Sequence, residues 1–231
     1  MSKLYLIPNF LGHKSKGLIP NDYLEAIYSL KRFVVETEKS ARAFLKAIDH
    51  PVHQDHFEFF FMDKRMRKGE IPGFFENLGK DESLGLISDA GTPCIADPGS
   101  RIVDYALYRG IDVVPFGGLN SIVMALMASG FNGQRFRFIG YLPFDKRERN
   151  QAFKEIKQGL QKKETQIFIE TPYRNIKLIE ELTVKFSPDQ HLAVVSNIST
   201  PSEKADRRDM YGWLTNTQYL DKIPAVYVLG S

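Results

Sequence analysis

The chain has 231 residues, 43% of them hydrophobic and 26% charged, with a formal net charge of +3. This composition excludes a disordered or fibrous protein, and no apolar run approaches the roughly 18 residues of a membrane-spanning helix. A single cysteine, Cys94, excludes an internal disulfide and points to a reducing, cytoplasmic setting, and the opening residues stop at Pro8 rather than run on as a signal peptide.

In chain order, residues 4–7 read as a buried strand and 21–30 as a helix with Tyr23, Ile27 and Leu30 on one face. Residues 33–36 form a second strand. A helix over 40–48 follows, carrying Ala41, Phe44, Leu45 and Ile48 at amphipathic spacing. A third strand covers 57–61, a basic connection 62–68 and a short helix 71–78. Residues 84–88 are an apolar strand that breaks into Asp89-Ala-Gly-Thr-Pro93, and Asp97-Pro98 reads as a cap and first turn for a helix over 98–109. Residues 111–115 form the next strand, followed by the glycine loop Phe116-Gly-Gly-Leu-Asn-Ser121. The helix over 121–129 is apolar nearly all round and is expected to be buried. Beyond it come strands at 136–140, 165–170, 191–196 and 224–229. Helices are predicted over 147–161 and after Thr171-Pro172, and the stretch 198–216 shows no clear pattern. Strands alternating with helices in both halves predict two consecutive α/β domains, 1–117 and 118–231.

Two small-residue loops, each leading from a strand to a helix, belong at strand carboxyl ends, where α/β proteins place ligands. An ordinary strand-to-helix connection reads the same way. The chain has no G-x-G-x-x-G with an acidic partner downstream and no P-loop. His50, His53 and His56 lack cysteine partners and read as a solvated loop, so no metal is expected.

Several motifs occur together in order. Ser88-Asp-Ala-Gly-Thr-Pro93, Asp97-Pro-Gly99 and Val113-Val-Pro115 precede Phe138-Ile-Gly-Tyr-Leu-Pro143 and Phe168-Ile-Glu-Thr-Pro-Tyr-Arg174. This set resembles the tetrapyrrole methylase superfamily of S-adenosylmethionine (SAM)-dependent methyltransferases. Within it the chain is most similar to the ribosomal small subunit methyltransferase I family, which methylates a 16S rRNA ribose 2′-hydroxyl. The chain departs from that family at Pro8-Asn-Phe-Leu-Gly-His13, at Glu36-Thr-Glu-Lys39 and at Ser196-Asn-Ile-Ser-Thr200.

The resemblance implies two α/β domains with the cofactor cleft between them, a homodimer, SAM as methyl donor, and rRNA or the 30S subunit as partner. It carries SAM contact onto Thr92, Ile95, Asn120 and Ser121, and onto Phe10, Ile169, Ser196 and Ala225. A ribose hydroxyl is a poor nucleophile and calls for a base, for which Glu170, Asp89 and Glu36 are the candidates. RNA calls for basic surface. Residues 146–163 hold seven basic side chains, among them Lys146, Arg147 and Arg149, against Glu148 and Glu155, while Lys64, Arg65, Arg67 and Lys68 form a second cluster. A methylase of small molecules such as tetrapyrrole precursors, and a non-catalytic SAM- or RNA-binding module, are the rival readings.

Overall fold

The computed structural model describes residues 2–230 apart from 13, 64, 65, 77, 80 and 81, and apart from the side chain of Lys68. The expectations for His13, Lys64 and Arg65 therefore lie outside the described residues. The chain divides into two units, Met1–Asn120 and Ser121–Ser231.

The first unit holds strands β1 (Lys3–Ile7), β2 (Arg32–Val35), β3 (Glu58–Phe61), β4 (Leu84–Ile87) and β5 (Asp112–Pro115). They form one parallel sheet in the order β3-β2-β4-β1-β5. Because side chains alternate across a strand, the sheet carries an apolar layer on each face. Ile7, Phe33 and Val35 pack with α1 (Asn21–Tyr28) and α2 (Glu38–Ala47) on one face. Leu4, Val34, Leu84 and Leu86 pack with α3 (Ile71–Phe75) and α4 (Ser100–Tyr108) on the other. The chain thus leaves β1 across one face and the adjacent β4 across the opposite face. Two neighbouring strands whose connections diverge in this way open a crevice at their carboxyl ends.

Helix α4 begins later than the sequence suggests, at Ser100. Asp97 is not its cap: the Asp97 carboxylate accepts from Cys94 N and Gly99 N and so holds the preceding loop. The predicted boundary at Gly117–Gly118 lies within the first unit. There Thr92 Oγ1 donates to Leu119 O at 3.1 Å. Gly118 is pressed so closely on Pro8 that an added Cβ would come within 2.4 Å.

The second unit opens with α5 (Ser121–Ser129) and adds β6 (Phe136–Tyr141), α6 (Lys146–Gln161), β7 (Thr165–Ile169), α7 (Asn175–Lys185), β8 (His191–Ser196), β9 (Lys204–Asp209) and β10 (Ala225–Gly230). Its sheet runs β6-β7-β10-β8-β9 and is mixed: β6 and β7 are parallel, while β10 lies antiparallel between β7 and β8. Helices α6 and α7 cover one face through Phe153, Ile156, Leu178 and Leu182 against Phe168, Val194 and Tyr227. Helix α5 buries Ile122, Ala125 and Leu126 but leaves Met127 76% exposed, so its all-round apolarity does not mean all-round burial. Strand β9, within the stretch that showed no pattern, is an edge strand of sequence Lys-Ala-Asp-Arg-Arg-Asp. Its charges hide the alternation, and such charges protect sheet edges from pairing with other chains.

Candidate functional site

Three loops meet at the carboxyl edge of the first sheet. Asn9, directly after β1 and Pro8, is 6% exposed. Its Nδ2 donates to Ser88 O at 2.9 Å, to Ser40 Oγ at 3.1 Å and to Asp89 O at 3.2 Å. Its backbone pairs with Gly91 in both directions. Asn9 therefore rivets the loops after β1 and β4 to the first turn of α2, which follows β2. A buried amide must find such partners, and its only sequence signal is a lone polar residue at the end of an apolar strand.

The structure brings the predicted Glu36 and Asp89 side by side. Glu36 Oε1 accepts from Asp89 N at 3.0 Å. Asp89 Oδ1 accepts from Thr37 N at 3.2 Å and Thr37 Oγ1 at 2.8 Å. Thr37 in turn caps α2 through Ser40 N. Asp89 itself is exposed, so its carboxylate faces solvent at the carboxyl edge of the sheet.

The loop after β4 is tightly shaped. Ser88 Oγ donates to Gly91 O at 2.6 Å. Gly91 has φ +69°, where a side chain would be strained and would also meet Leu119 O. Cys94 and Ala96 adopt left-handed backbone at φ 68° and 65°, a conformation uncommon for residues with a Cβ. The grip of Asp97 on Cys94 N holds this geometry. Burial raises the Asp97 carboxyl above its ordinary range against the pull of the bonds from Gly99 and Cys94. Burial, then the Asp97 charge, push the Cys94 thiol up to about 12, so it stays protonated and is no nucleophile. Ile95 projects from the loop with 43% exposure. Thr92 is half-buried and tied to the glycine loop, and Asn120 ends that loop.

Phe10 points inward and packs against Phe44 at 5.4 Å. It lines a slot of about 20 Å³ with Ile27, Phe116 and Tyr23. Phe10 is thus buried among the apolar side chains of the first core.

In the second unit Ala225 faces Ser196 across the β10–β8 ladder, and Val226 faces Ile169 across β10–β7. Ile169, Ser196 and Ala225 thus share one end of that sheet. Ser121 opens α5. Glu170 is different from the other two candidate bases. Its side chain is 1% exposed. Oε2 accepts from Arg149 Nη1 at 3.0 Å, and Oε1 accepts from Thr171 N at 3.0 Å. Arg149 also donates to Glu181 at 2.8 Å and to Pro143 O at 3.2 Å. Both Glu170 oxygens are committed inside the fold, where a substrate hydroxyl does not reach. Arg149 is likewise only 5% exposed and drops out of the basic surface expected of α6.

His50 is half-buried rather than solvated. Its Nδ1 accepts from Val52 N, which places the proton on Nε2 toward Ile27 O at 3.0 Å. Burial lowers its pKa. Among the described residues no group of His, Cys, Asp and Glu is arranged to hold a metal.

A family model described as tetrapyrrole (corrin/porphyrin) methylases matches residues 30–209. The ribosomal RNA small subunit methyltransferase I of Halalkalibacterium halodurans is 36% identical over 129 residues, 56% of this chain and 43% of that protein. The protein of the same name from Bacillus subtilis is 28% identical over 221 residues, 94% of this chain and 72% of its own length. The chain spans about half the length of some of these relatives, 43% and 55% for those of H. halodurans and Buchnera aphidicola subsp. Schizaphis graminum. Among solved structures, diphthine synthase superposes with TM-score 0.72 at 14% identity, covering 100% of this chain and 90% of that one. The methyltransferase CobJ superposes with TM-score 0.66 at 14% identity, covering 100% and 95%. Likeness at that identity speaks for the fold.

Proposed function

Since the chain belongs to the tetrapyrrole methylase family, we propose that it transfers a methyl group from SAM to RNA of the small ribosomal subunit, at a ribose 2′-hydroxyl. The observation that supports this most is the riveted crevice at the carboxyl ends of β1, β2 and β4. It sets an exposed carboxylate beside a loop that has no bulk at Gly91. The names of the curated relatives favour rRNA over a small molecule as acceptor.

The residues present fit SAM in kind. Thr92, Ile95 and Asn120 in the first unit stand on small-residue loops that lead from a strand to a helix, and Ile95 adds an exposed apolar side chain. Ser121, Ile169, Ser196 and Ala225 are assigned to it in the second unit, while Phe10 is left to the core. When bound, SAM supplies an electrophilic methyl on a sulfonium. The protein then has to align an acceptor oxygen with that methyl, because most of the barrier reduction in such a displacement comes from alignment. We assign the proton of the hydroxyl to Asp89. Thr37 fixes Asp89 Oδ1, and Glu36 holds the Asp89 backbone, so the carboxylate is oriented before substrate arrives. In this reading the enzyme works in the cytoplasm as a homodimer, so its mass in sedimentation is about twice 26.4 kDa.

Labelled-methyl transfer to 30S subunits from a strain lacking this gene tests the proposal, with calorimetric titration of SAM alongside. Label in 16S rRNA at a ribose 2′-oxygen is the expected result. Label in small molecules alone would overturn the rRNA acceptor, and SAM binding without transfer would favour a non-catalytic module.

A further inference from the structure

Two loops of the second unit present aromatic rings to solvent with cations beside them. Tyr141 and Phe144, at and after the end of β6, are 51% and 72% exposed, and Tyr173, after β7, is 80% exposed. Large aromatic side chains normally bury their area. Three on adjoining loops, all left open, ask for a partner with flat apolar faces.

The surroundings say which. The Arg174 guanidinium lies over the Phe144 ring at 4.6 Å, covering one face and leaving the ring largely exposed. Phe144, Arg174, Lys146 and Lys177 line a groove of about 540 Å³, and Lys146 also lines the adjoining wider groove that contains Tyr141. Glu180 and Glu181 lie on the same groove, and Glu181 is already paired with Arg149. Cations interleaved with open rings are the surface that unpaired nucleic acid uses: phosphates meet the cations and bases stack on the rings. Duplex RNA offers no base faces and is recognised through its backbone.

The loops are also held rigid. Arg149 donates to Pro143 O in the first loop and to Glu170 at the head of the second, and Glu170 accepts from Thr171 N. The buried ion pair therefore staples together the two loops that carry the rings, which lowers the cost of ordering them on binding.

We infer that Tyr141, Phe144 and Tyr173 form a stacking platform for unpaired bases of the RNA substrate, with Lys146, Arg174 and Lys177 meeting its phosphates. This rests on the RNA acceptor proposed above and names the state in which that RNA is taken: single-stranded where it meets the second unit.

Fluorescence anisotropy on the full chain tests it. The probes are a short labelled unpaired oligoribonucleotide and the same sequence locked in a duplex, at one salt concentration. The unpaired probe binds at least about tenfold tighter. Each of Tyr141→Ala, Phe144→Ala and Tyr173→Ala weakens it by about tenfold, whereas Phe144→Trp keeps it. Lys177→Ala lowers the dependence of log affinity on log salt by about one contact. SAM affinity, read by calorimetry, is unchanged in all of these and shows that the variants are folded. Equal affinity for both probes overturns the inference. So does undiminished RNA binding by the triple alanine variant, which would leave the surface to a protein partner. If the wild type methylates 30S subunits and the triple variant does so equally well, the platform fails while the proposed function stands. If the wild type binds SAM but neither RNA probe nor 30S, the RNA acceptor itself fails.

Discussion

Asp89 and Glu170 are both carboxylates at the end of a strand, and only their surroundings separate them. Asp89 is exposed and held at Oδ1 by Thr37, while Glu170 is 1% exposed and spends both oxygens on Arg149 and Thr171. Replacing Asp89 by Asn keeps an acceptor for Thr37 but removes the base. Methyl transfer is expected to fall by about 100-fold or more, with SAM affinity and thermal midpoint unchanged; single-turnover rates and calorimetry check this. Replacing Glu170 by Ala leaves a buried guanidinium short of a partner and is expected to destabilise the protein by about 3–5 kcal/mol, read by chemical denaturation. Folded protein that remains should still transfer methyl groups. Cys94 offers a third test at this scale. With its thiol pushed up to about 12, it should react with iodoacetamide at pH 8 far more slowly than an unfolded control, since the thiolate is the reactive form. Asn9 shows why such roles escape a sequence. Its amide joins two loops and the first turn of α2 only because β1 and β4 are neighbours, and adjacency of strands about 80 positions apart is not written locally.

Strand β4 depends on a glycine for its place in the sheet. A Cβ at Gly85 would come within 2.6 Å of the Phe33 ring and 2.9 Å of Ile7 Cδ1. Gly85→Ala is expected to cost about 1–3 kcal/mol through overpacking, measured by denaturant titration of the purified variant. On the other sheet, edge strand β9 carries Asp206 among Arg208, Lys204 and Tyr219. Burial acts to raise the Asp206 carboxyl, but the bonds from these three partners outweigh it and hold it at about 2. Its folded pKa lies below the unfolded one of 3.8, so its stabilisation is present above pH 4 and lost as pH falls toward 2. In Asp206→Asn the acid limb of the stability curve should be flatter in that window. Helix periodicity made α2, α6 and α7 legible, because 3.6-residue spacing is a local property. Strand β9 was not legible, since a sheet edge carries charge on both faces.

Each of the two units encloses its own core, the first on both faces of its parallel sheet and the second beneath α6 and α7. Residues 1–120 and 121–231 expressed separately are therefore expected to fold, each with a cooperative thermal transition by circular dichroism. The sequence by itself determined the two α/β halves, the small-residue loops at strand ends and the family, because periodicity, turn residues and ordered motifs are all local patterns. The assignment of Thr92, Ile95 and Asn120 to SAM comes from the family resemblance and belongs to the proposal. What only the tertiary structure decided was which strands are neighbours, and everything follows from that. Strand β10 inserts antiparallel between β7 and β8, and Asn9, Glu36 and Asp89 meet at one edge. Glu170 goes into a buried ion pair, whereas the rings beside it stay in solvent. The physical reason is that burial and hydrogen-bond partnership belong to pairs of residues far apart in the chain. A carboxylate's chemistry is set by which of those partners reach it.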